Sequence, residues 1–278
     1  MNPHNPSVRD SDLALAAEIA RNAGKIAMAQ FGRSPAKWHK DDGSPVCAAD
    51  LAVNDYLRGV IAAARPDDGW LSEESADSAD RLERRRVWVV DPIDGTRDFL
   101  RGRPGWAISV ALVEDGAVVA AVLHAPAQKR TYAASAGRGA ILNGKRLGVS
   151  GLATLDGVRL PIDQANLDAS YWPSPWPGTA VAKPNSLALR MAMLAAAEAD
   201  AWVEGRSIAE WDVAAASLIL AEAGGTLTDR HGAALSFNRP QPIIHGLAAA
   251  TPALHGEVLA RLDHALKVFA ERRRVRAA

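Results

Sequence analysis

Two aspartates three residues apart, Asp91 and Asp94, lie in the segment Trp88-Val89-Val90-Asp91-Pro92-Ile93-Asp94-Gly95-Thr96. The apolar run over 87–90, with charge before it and Asp-Pro after it, reads as a buried strand. That strand delivers both carboxylates into a tight turn, where Pro92 restrains the backbone and Gly95 permits a close approach. Thr96 follows, at the start of a short helix over 97–100. Backbone N–H groups at a helix start favour an anion such as phosphate. Cation ligands beside an anion cradle are the combination that a magnesium-dependent phosphatase needs. Asp-Pro and Asp-Gly are also common turn dipeptides, so in isolation the segment is equally a structural turn.

Three further segments bear on the choice. Leu71-Ser72-Glu73-Glu74-Ser75 carries adjacent carboxylates after a helix end, and in isolation is a solvated acidic loop. Asp50 opens the second helix, where an acid also interacts well with the helix dipole. Asp212, in Glu210-Trp211-Asp212-Val213-Ala214-Ala215-Ala216, begins a helix of small residues that ends at Glu222-Ala223-Gly224-Gly225, and Asp is a good N-cap.

Taken in order, Pro45-Val46-Cys47-Ala48-Ala49-Asp50, Glu73-Glu74, Asp91-Pro92-Ile93-Asp94-Gly95-Thr96 and Trp211-Asp212 with the Gly224-Gly225 helix end resemble the inositol monophosphatase superfamily of magnesium-dependent, lithium-sensitive phosphatases. The resemblance spans residues 11–265. It implies an α/β (α+β) fold of layered helix pairs and sheets, an αβαβα sandwich. It also implies that Glu73, Asp91, Asp94, Asp212 and the Ile93 carbonyl bind metal, with Asp50 at a weaker site. Gly95 and Thr96 would hold the phosphate through backbone N–H groups, and the Thr96 hydroxyl, with Asp50 and Glu73, would serve the attacking water. Two or three Mg²⁺ ions, Li⁺ inhibition and a homodimer follow from the same resemblance.

All the implied ligands are oxygens, which suits Mg²⁺ better than zinc or copper. Nothing presents an obvious nucleophilic Cys or His, and His39 and His124 are given no catalytic role. Lys183-Pro184-Asn185-Ser186 lies where relatives carry Gly-Ser before a helix, which puts Ser186 at the substrate. The Trp202-to-Trp211 spacing differs by one residue from inositol phosphatases, leaving Glu204 or Glu210 as the acid that contacts substrate. The Glu73 and 183–190 segments look more like bacterial 3′(2′),5′-bisphosphate nucleotidases, which take adenosine 3′,5′-bisphosphate to AMP. Inositol-1-monophosphatase and histidinol-phosphate phosphatase are the alternatives, and a non-catalytic metal or phosphate binder is a remote one. Tyr171, Trp172 and Trp176 could stack on adenine, although packing between subdomains explains them at least as well. Arg206 could meet a second phosphate.

The elements that must position these residues follow from periodicity. Helices are expected over 10–32, 48–64, 186–199 (capped by Asn185), 212–223 and 252–271. Strands are expected over 87–90, 106–113, 117–125, 131–134 and 201–203, with hairpin turns at Asp115-Gly116 and Asn143-Gly144. Asp41-Asp42-Gly43 marks a turn in a polar loop over 37–45. Helices followed by antiparallel strands, then alternating helix and strand, suggest two halves: 1–148, carrying most metal ligands, and 149–278, completing the pocket. The 278 residues hold 32 Lys plus Arg against 32 Asp plus Glu, for a net charge of +0. That balance gives no global pull toward nucleic acid or anionic membranes. One cysteine, Cys47, excludes an intramolecular disulfide and a thiolate zinc cluster. No apolar run of about 18 residues appears, and the N-terminus lacks the features of a secretory signal, so a cytoplasmic location is expected.

Overall fold

The structure, a computed structural model, describes residues 6–33, 35–39 and 45–277. The Asp41-Asp42-Gly43 turn, the side chain of His39 and the first five residues lie outside the described residues.

Two helices, α1 (Pro6–Gln30) and α2 (Ala48–Ala64), precede the main sheet, with a short ribbon of β1 (Lys37–His39) and β2 (Pro45–Cys47) between them. The sheet has seven strands in chain order: β3 (Gly69–Ser72), β4 (Arg86–Asp94), β5 (Ala107–Glu114), β6 (Ala117–Ala125), β7 (Arg130–Ser135), β8 (Gly139–Leu142) and β9 (Lys145–Arg146). Only β3 and β4 are parallel; the rest form a meander. Asp115 and Gly116 both adopt positive φ, as the tight β5–β6 turn requires. β5 is buried along its whole length because helices cover both faces of the sheet. On one face α1 and α2 pack through Ile19, Ala23, Val53 and Leu57 against Trp88, Val90 and Val122.

The opposite face is covered by α4 (Leu187–Ala195) and α5 (Ala214–Glu222), with α3 (Thr96–Leu100) at the end of β4. Ala214, Ala215 and Ala216 let α5 approach the sheet closely. A second sheet of β12 (Ala201–Ala209), β14 (Ile243–Ala250) and β13 (Thr226–Asp229), in that order, lies beyond this helix pair. Its outer face is covered by α6 (His255–Ala277) through Val258 and Leu262, with Leu254 just before that helix, and a small parallel pair of β10 (Val158–Leu160) and β11 (Gly178–Ala180) lies alongside. The layers run helix pair, sheet, helix pair, sheet, helix: the expected αβαβα sandwich.

Several boundaries differ from expectation for identifiable reasons. α4 is capped by Ser186, not Asn185: the Ser186 hydroxyl accepts the Leu189 N–H. α5 begins at Ala214, because Asp212 sits in a single tight 3-10 turn over Glu210–Asp212. The strand over 243–250 has no alternating pattern, since as the central strand of its sheet it is buried on both sides. Within the 171–178 loop Trp176 is a core residue, with Arg261 above its ring and Trp172 edge-on to it. Packing is thus the main use of that tryptophan.

One polar knot ties α1 to the strand that carries the aspartates. Asp12, buried on α1, accepts hydrogen bonds from Arg65 at 2.9 Å and Arg86 at 2.9 Å. Arg86 opens β4 and also binds Asp68, whose carboxylate receives the Trp88 indole N–H at 2.8 Å. Removing one member of a buried charge network leaves the other charges uncompensated. Asp12→Ala is expected to destabilise the protein by about 3 kcal/mol, the low end for such a loss because Arg86 keeps Asp68. Urea unfolding monitored by tryptophan fluorescence measures it.

Candidate active site

The site forms where β3 and β4 end side by side. Ser72 pairs with Val90 in the parallel register, so Glu73 leaves β3 level with Asp91. β4 then departs from regular pairing between Asp91 and Asp94, where Pro92 can donate no ladder hydrogen bond. The Asp91 carboxylate accepts the Ile93 N–H at 3.0 Å, which folds the turn back on itself. Asp212 arrives from the second half of the chain: Ser109 pairs with Asp91 across β4 and β5, and its hydroxyl donates to the Trp211 carbonyl at 3.4 Å. Carboxylate oxygens of Asp91, Asp94 and Asp212 consequently lie within 4.8 Å of one another. Glu73 lines the same cleft.

Each member of the cluster has a structural tie as well. Asp94 accepts hydrogen bonds from the Ser186 hydroxyl, from Ala188 N at 2.9 Å and from Leu187 N at 3.2 Å, so it caps α4 from outside that helix. Asp212 accepts the Ala209 N–H at 2.9 Å. Asp50 reaches back to the Cys47 N–H at 2.8 Å at the start of α2, while its other oxygen lies 3.3 Å from the Thr96 hydroxyl. Thr96 Oγ1 also lies 3.1 Å from the Ile93 carbonyl. Gly95 has φ +98°, and a Cβ there would sit 2.7 Å from the Gly105 carbonyl and 2.9 Å from Ser186 N. Glycine is therefore required for the turn that starts α3. The first N–H groups of that helix have no intrahelical acceptor, and Gly95 and Thr96 both line the cleft.

The electrostatics match a cation site. Burial first, then the charges of Glu73, Asp94, Asp212 and Asp50, hold the Asp91 carboxyl well above its usual range. Burial raises Asp94 to about 6 against the hydrogen bonds from Ser186, Ala188 and Leu187. Burial, then Asp94 and Glu73, raise Asp212 as well. Among the described residues no lysine or arginine forms an ion pair with Asp91, Asp94 or Asp212. Buried carboxylates crowded together without a cationic side chain, and offering only oxygen donors, fit a hard divalent ion. Cys47 has a different part: burial, then Asp50, push its thiol up to about 12, so it stays protonated and packs as an apolar group.

Three residues expected at the substrate have partners of their own. Glu210 is fully buried and accepts the N–H groups of Asn238 at 2.6 Å and Arg239 at 3.1 Å, so it braces the 238–239 loop and does not line the cleft. Glu204 does line it, from the irregularity in β12 between Glu204 and Ser207. Its two oxygens, however, are engaged by Arg206 at 3.0 and 2.8 Å, which neutralises both partners. The Ser186 hydroxyl is committed to Asp94 and Leu189 and is not free to meet a substrate. Sequence reading missed Asp98, whose carboxylate accepts the Asn185 N–H at 3.0 Å, and Arg190, which faces the cleft from α4. Asp98 follows Thr96 by two residues on the same short helix, and that spacing could have marked it.

The raised carboxyls have a sign that can be checked. A carboxyl whose folded pKa lies above its unfolded value binds its proton more tightly in the folded state. Its penalty is absent below the unfolded value near 3.8, grows as pH rises through about 6 for Asp94, and persists above. The chelated protein is therefore expected to lose thermal stability as pH rises from about 4 to 7, and divalent metal is expected to restore it. Asp91→Asn keeps an acceptor for Ile93 N and removes one charge. In chelator at pH 7 it is expected to melt higher than wild type, while its activity falls more than about 100-fold. Asp94→Asn is expected to lose activity too, but an amide cannot accept at both positions, so it also costs about 1 kcal/mol of α4 capping. Melting curves with and without chelator separate the two variants.

Comparison with known proteins agrees with this geometry. The model of the inositol monophosphatase family matches residues 9–267. A Streptomyces griseus protein named glucose-1-phosphate thymidylyltransferase is 38% identical over 80% of this chain and 87% of its own. A Mycobacterium tuberculosis histidinol-phosphatase is 34% identical over 91% of this chain and 98% of its own, and an Aggregatibacter actinomycetemcomitans 3′(2′),5′-bisphosphate nucleotidase is 29% identical over 82% and 88%. Among solved structures, the Thermotoga maritima IMPase superposes with a TM-score of 0.79 at 28% identity, covering 92% of this chain and 98% of that one. A carboxylate cluster assembled from both halves of an αβαβα sandwich, and a family match over nearly the whole chain, make this protein a member of the inositol monophosphatase family and a metal-dependent phosphoric monoester hydrolase.

Proposed function

We propose that the protein is a Mg²⁺-dependent phosphatase of a small bisphosphate nucleotide, of the type that takes adenosine 3′,5′-bisphosphate to AMP. The observation that carries the hydrolytic part is the convergence of Asp91, Asp94 and Asp212 within 4.8 Å, beside Glu73 and the start of α3. Glu73, Asp91, Asp94, Asp212 and the Ile93 carbonyl would hold Mg²⁺, with Asp50 at a weaker position. Bound there, the ions supply a polarised water and neutralise the phosphate and its leaving oxygen.

The chain's own groups do the rest. The backbone N–H groups of Gly95 and Thr96 hold the phosphate oxygens at the start of α3. Thr96 Oγ1, 3.3 Å from Asp50 Oδ1, donates its proton toward that carboxylate and so turns a lone pair to the attacking water. The water passes a proton to Thr96 Oγ1 as the threonine proton moves to Asp50 Oδ1, the oxygen attacks phosphorus in line, and the ester P–O bond on the opposite side breaks, its leaving oxygen taking a proton from solvent water. In this reading residues 1–148 supply most of the ligands, and 149–278 supply Asp212 and the outer wall.

Support for a nucleotide comes from the cleft around the cluster. Its volume is 1320 Å³, more than a single small monophosphate fills. Arg97, Arg101, Arg103, Lys183, Arg190 and Arg230 line it, as do the aromatic Tyr171 and Trp172. Tyr171 lies 4.9 Å from Phe269 and 4.7 Å from Trp172, centroid to centroid, which gives the far end an aromatic wall. Histidinol phosphate is the second reading, favoured by the 34% identity to a histidinol-phosphatase along nearly that protein's whole length. The proposal includes Li⁺ inhibition and a homodimer in the cytoplasm. No helix among the described residues is long and apolar enough to cross a membrane.

A phosphate-release panel with Mg²⁺ over adenosine 3′,5′-bisphosphate, inositol 1-phosphate and histidinol phosphate tests the substrate. The bisphosphate is expected to lead in kcat/KM; a lead for histidinol phosphate selects the second reading. Thr96→Ala is expected to lower kcat by about 100-fold with little change in the Mg²⁺ concentration needed for half activity. An unchanged kcat would remove the hydroxyl from the reaction.

A further inference from the structure

Among the described residues, Arg190 is a guanidinium that the fold buries at the cleft with no carboxylate in hydrogen-bond contact. It is 7% exposed, yet it lines the cleft with Asp94, Leu187, Trp202 and Glu204. Its Nε donates to the Pro184 carbonyl at 2.9 Å, and one terminal nitrogen reaches the Asn185 carbonyl at 3.4 Å. The group lies 5.8 Å from the centroid of the Trp202 ring. No carboxylate forms an ion pair with it among the described residues. The other arginine buried among the described residues is treated differently: Arg81 is held by both oxygens of Asp77.

A buried cation that no carboxylate contacts is costly, and burial lowers the Arg190 pKa in keeping with that cost, the charges of Glu204 and Asp94 nearby offsetting only part of it. The cost is tolerable where an anion arrives in the working state. The two carbonyl bonds and the Trp202 face fix the plane of the guanidinium, so an arriving anion meets a pre-oriented fork. Arg206, the alternative receiver, is unsuited. It is 70% exposed and already neutralised by Glu204.

We propose that Arg190 receives the second anionic group of the substrate, the one that is not hydrolysed, and so determines the preference for bisphosphorylated over monophosphorylated esters. This rests on the nucleotide reading given above. The site takes a phosphate or sulfate monoester oxygen set presented from the same ligand whose scissile phosphate lies on α3. Glu204, next to it in the cleft but bound to Arg206, limits that pocket to one such anion.

The test compares two nucleotides with the same scissile group, adenosine 3′,5′-bisphosphate and adenosine 3′-monophosphate, which lacks only the second phosphate. Wild-type enzyme with Mg²⁺ is expected to favour the bisphosphate in kcat/KM. Arg190→Met is expected to lose about 30- to 100-fold on the bisphosphate, mainly in KM, and to leave the monophosphate within about twofold, because one charge-assisted contact is removed. Arg190→Lys is expected to recover part of the preference. Arg206→Lys, which keeps a positive charge beside Glu204, is expected to retain it. If Arg190→Met lowers both substrates equally, or keeps the preference, Arg190 is a brace for the 184–185 loop and the assignment is overturned. If Arg190→Met fails to fold by thermal melting, Arg190→Lys decides: an undiminished preference for the bisphosphate overturns the assignment, and a partial loss confined to the bisphosphate supports it. If wild-type enzyme shows no preference between the two nucleotides, the nucleotide reading itself falls and takes this assignment with it.

Discussion

The enforced proximity of buried carboxylates is the constraint on which the rest of this structure depends. Asp91, Asp94 and Asp212 are drawn within 4.8 Å of one another and, among the described residues, no lysine or arginine is paired to them. Left alone, such a group expands or takes up protons, since each charge opposes the next and burial opposes all of them. The fold resists expansion by giving every carboxylate a backbone partner: Ile93 N for Asp91, Leu187 N and Ala188 N for Asp94, Ala209 N for Asp212. These N–H bonds orient the acids and leave their remaining lone pairs directed into the cleft. The outstanding charge is what a divalent ion supplies, so metal affinity and folding stability are linked quantities here.

Asp94 shows how far the linkage extends. Its carboxylate is both a candidate metal ligand and the external cap of α4, the helix that covers the main sheet and carries Arg190 into the cleft. Asp98 fastens the same segment one step earlier by taking the Asn185 N–H, and the Gly105 carbonyl takes Ser186 N. Gly105 has to be glycine there, because a Cβ would fall 2.1 Å from the Asp98 carboxylate. The carboxylate-bearing turn and the cleft wall are thus bolted together by backbone atoms of residues 185–188. A shift at the cluster moves the wall with it.

How much of this could be read beforehand depended on whether a feature was local. Asp91-Pro92-Ile93-Asp94-Gly95-Thr96 announces a strand, a turn and a helix start within nine residues of Trp88, and the structure has all three. The long helices and the Asp115-Gly116 hairpin are equally local and appear near their expected places. The strands over 69–72 and 243–250 carried no clear signal, because each is short or buried on both faces and so lacks alternation. The fates of Glu204, Glu210 and Ser186 were not legible. Spacing placed all three near the substrate, but what decides availability is the partner: Arg206 for Glu204, the 238–239 loop for Glu210, Asp94 for Ser186. Those partners come from 2 to 92 residues away. Arg190 went unnoticed for the converse reason, since a single arginine inside an apolar helix looks like a surface residue until its burial is known.

The same division explains why proteins so similar along their whole length carry different substrate names. The cluster is built from strand ends and a turn with glycine at positive φ, where little can vary without losing the geometry. The walls come from less constrained pieces: the residues after α3, the irregular stretch of β12, the loop over 162–172 and the end of α6. A net charge of zero over the chain conceals this arrangement, with acids gathered on the floor and arginines on the walls of one cleft. Metal on the floor turns repulsion of a phosphate ester into attraction, and that step is common to any substrate. Discrimination then falls to the cations that meet the rest of the ester. Among those, a guanidinium that is buried, oriented and in contact with no carboxylate contributes more selectivity than exposed arginines that water already satisfies.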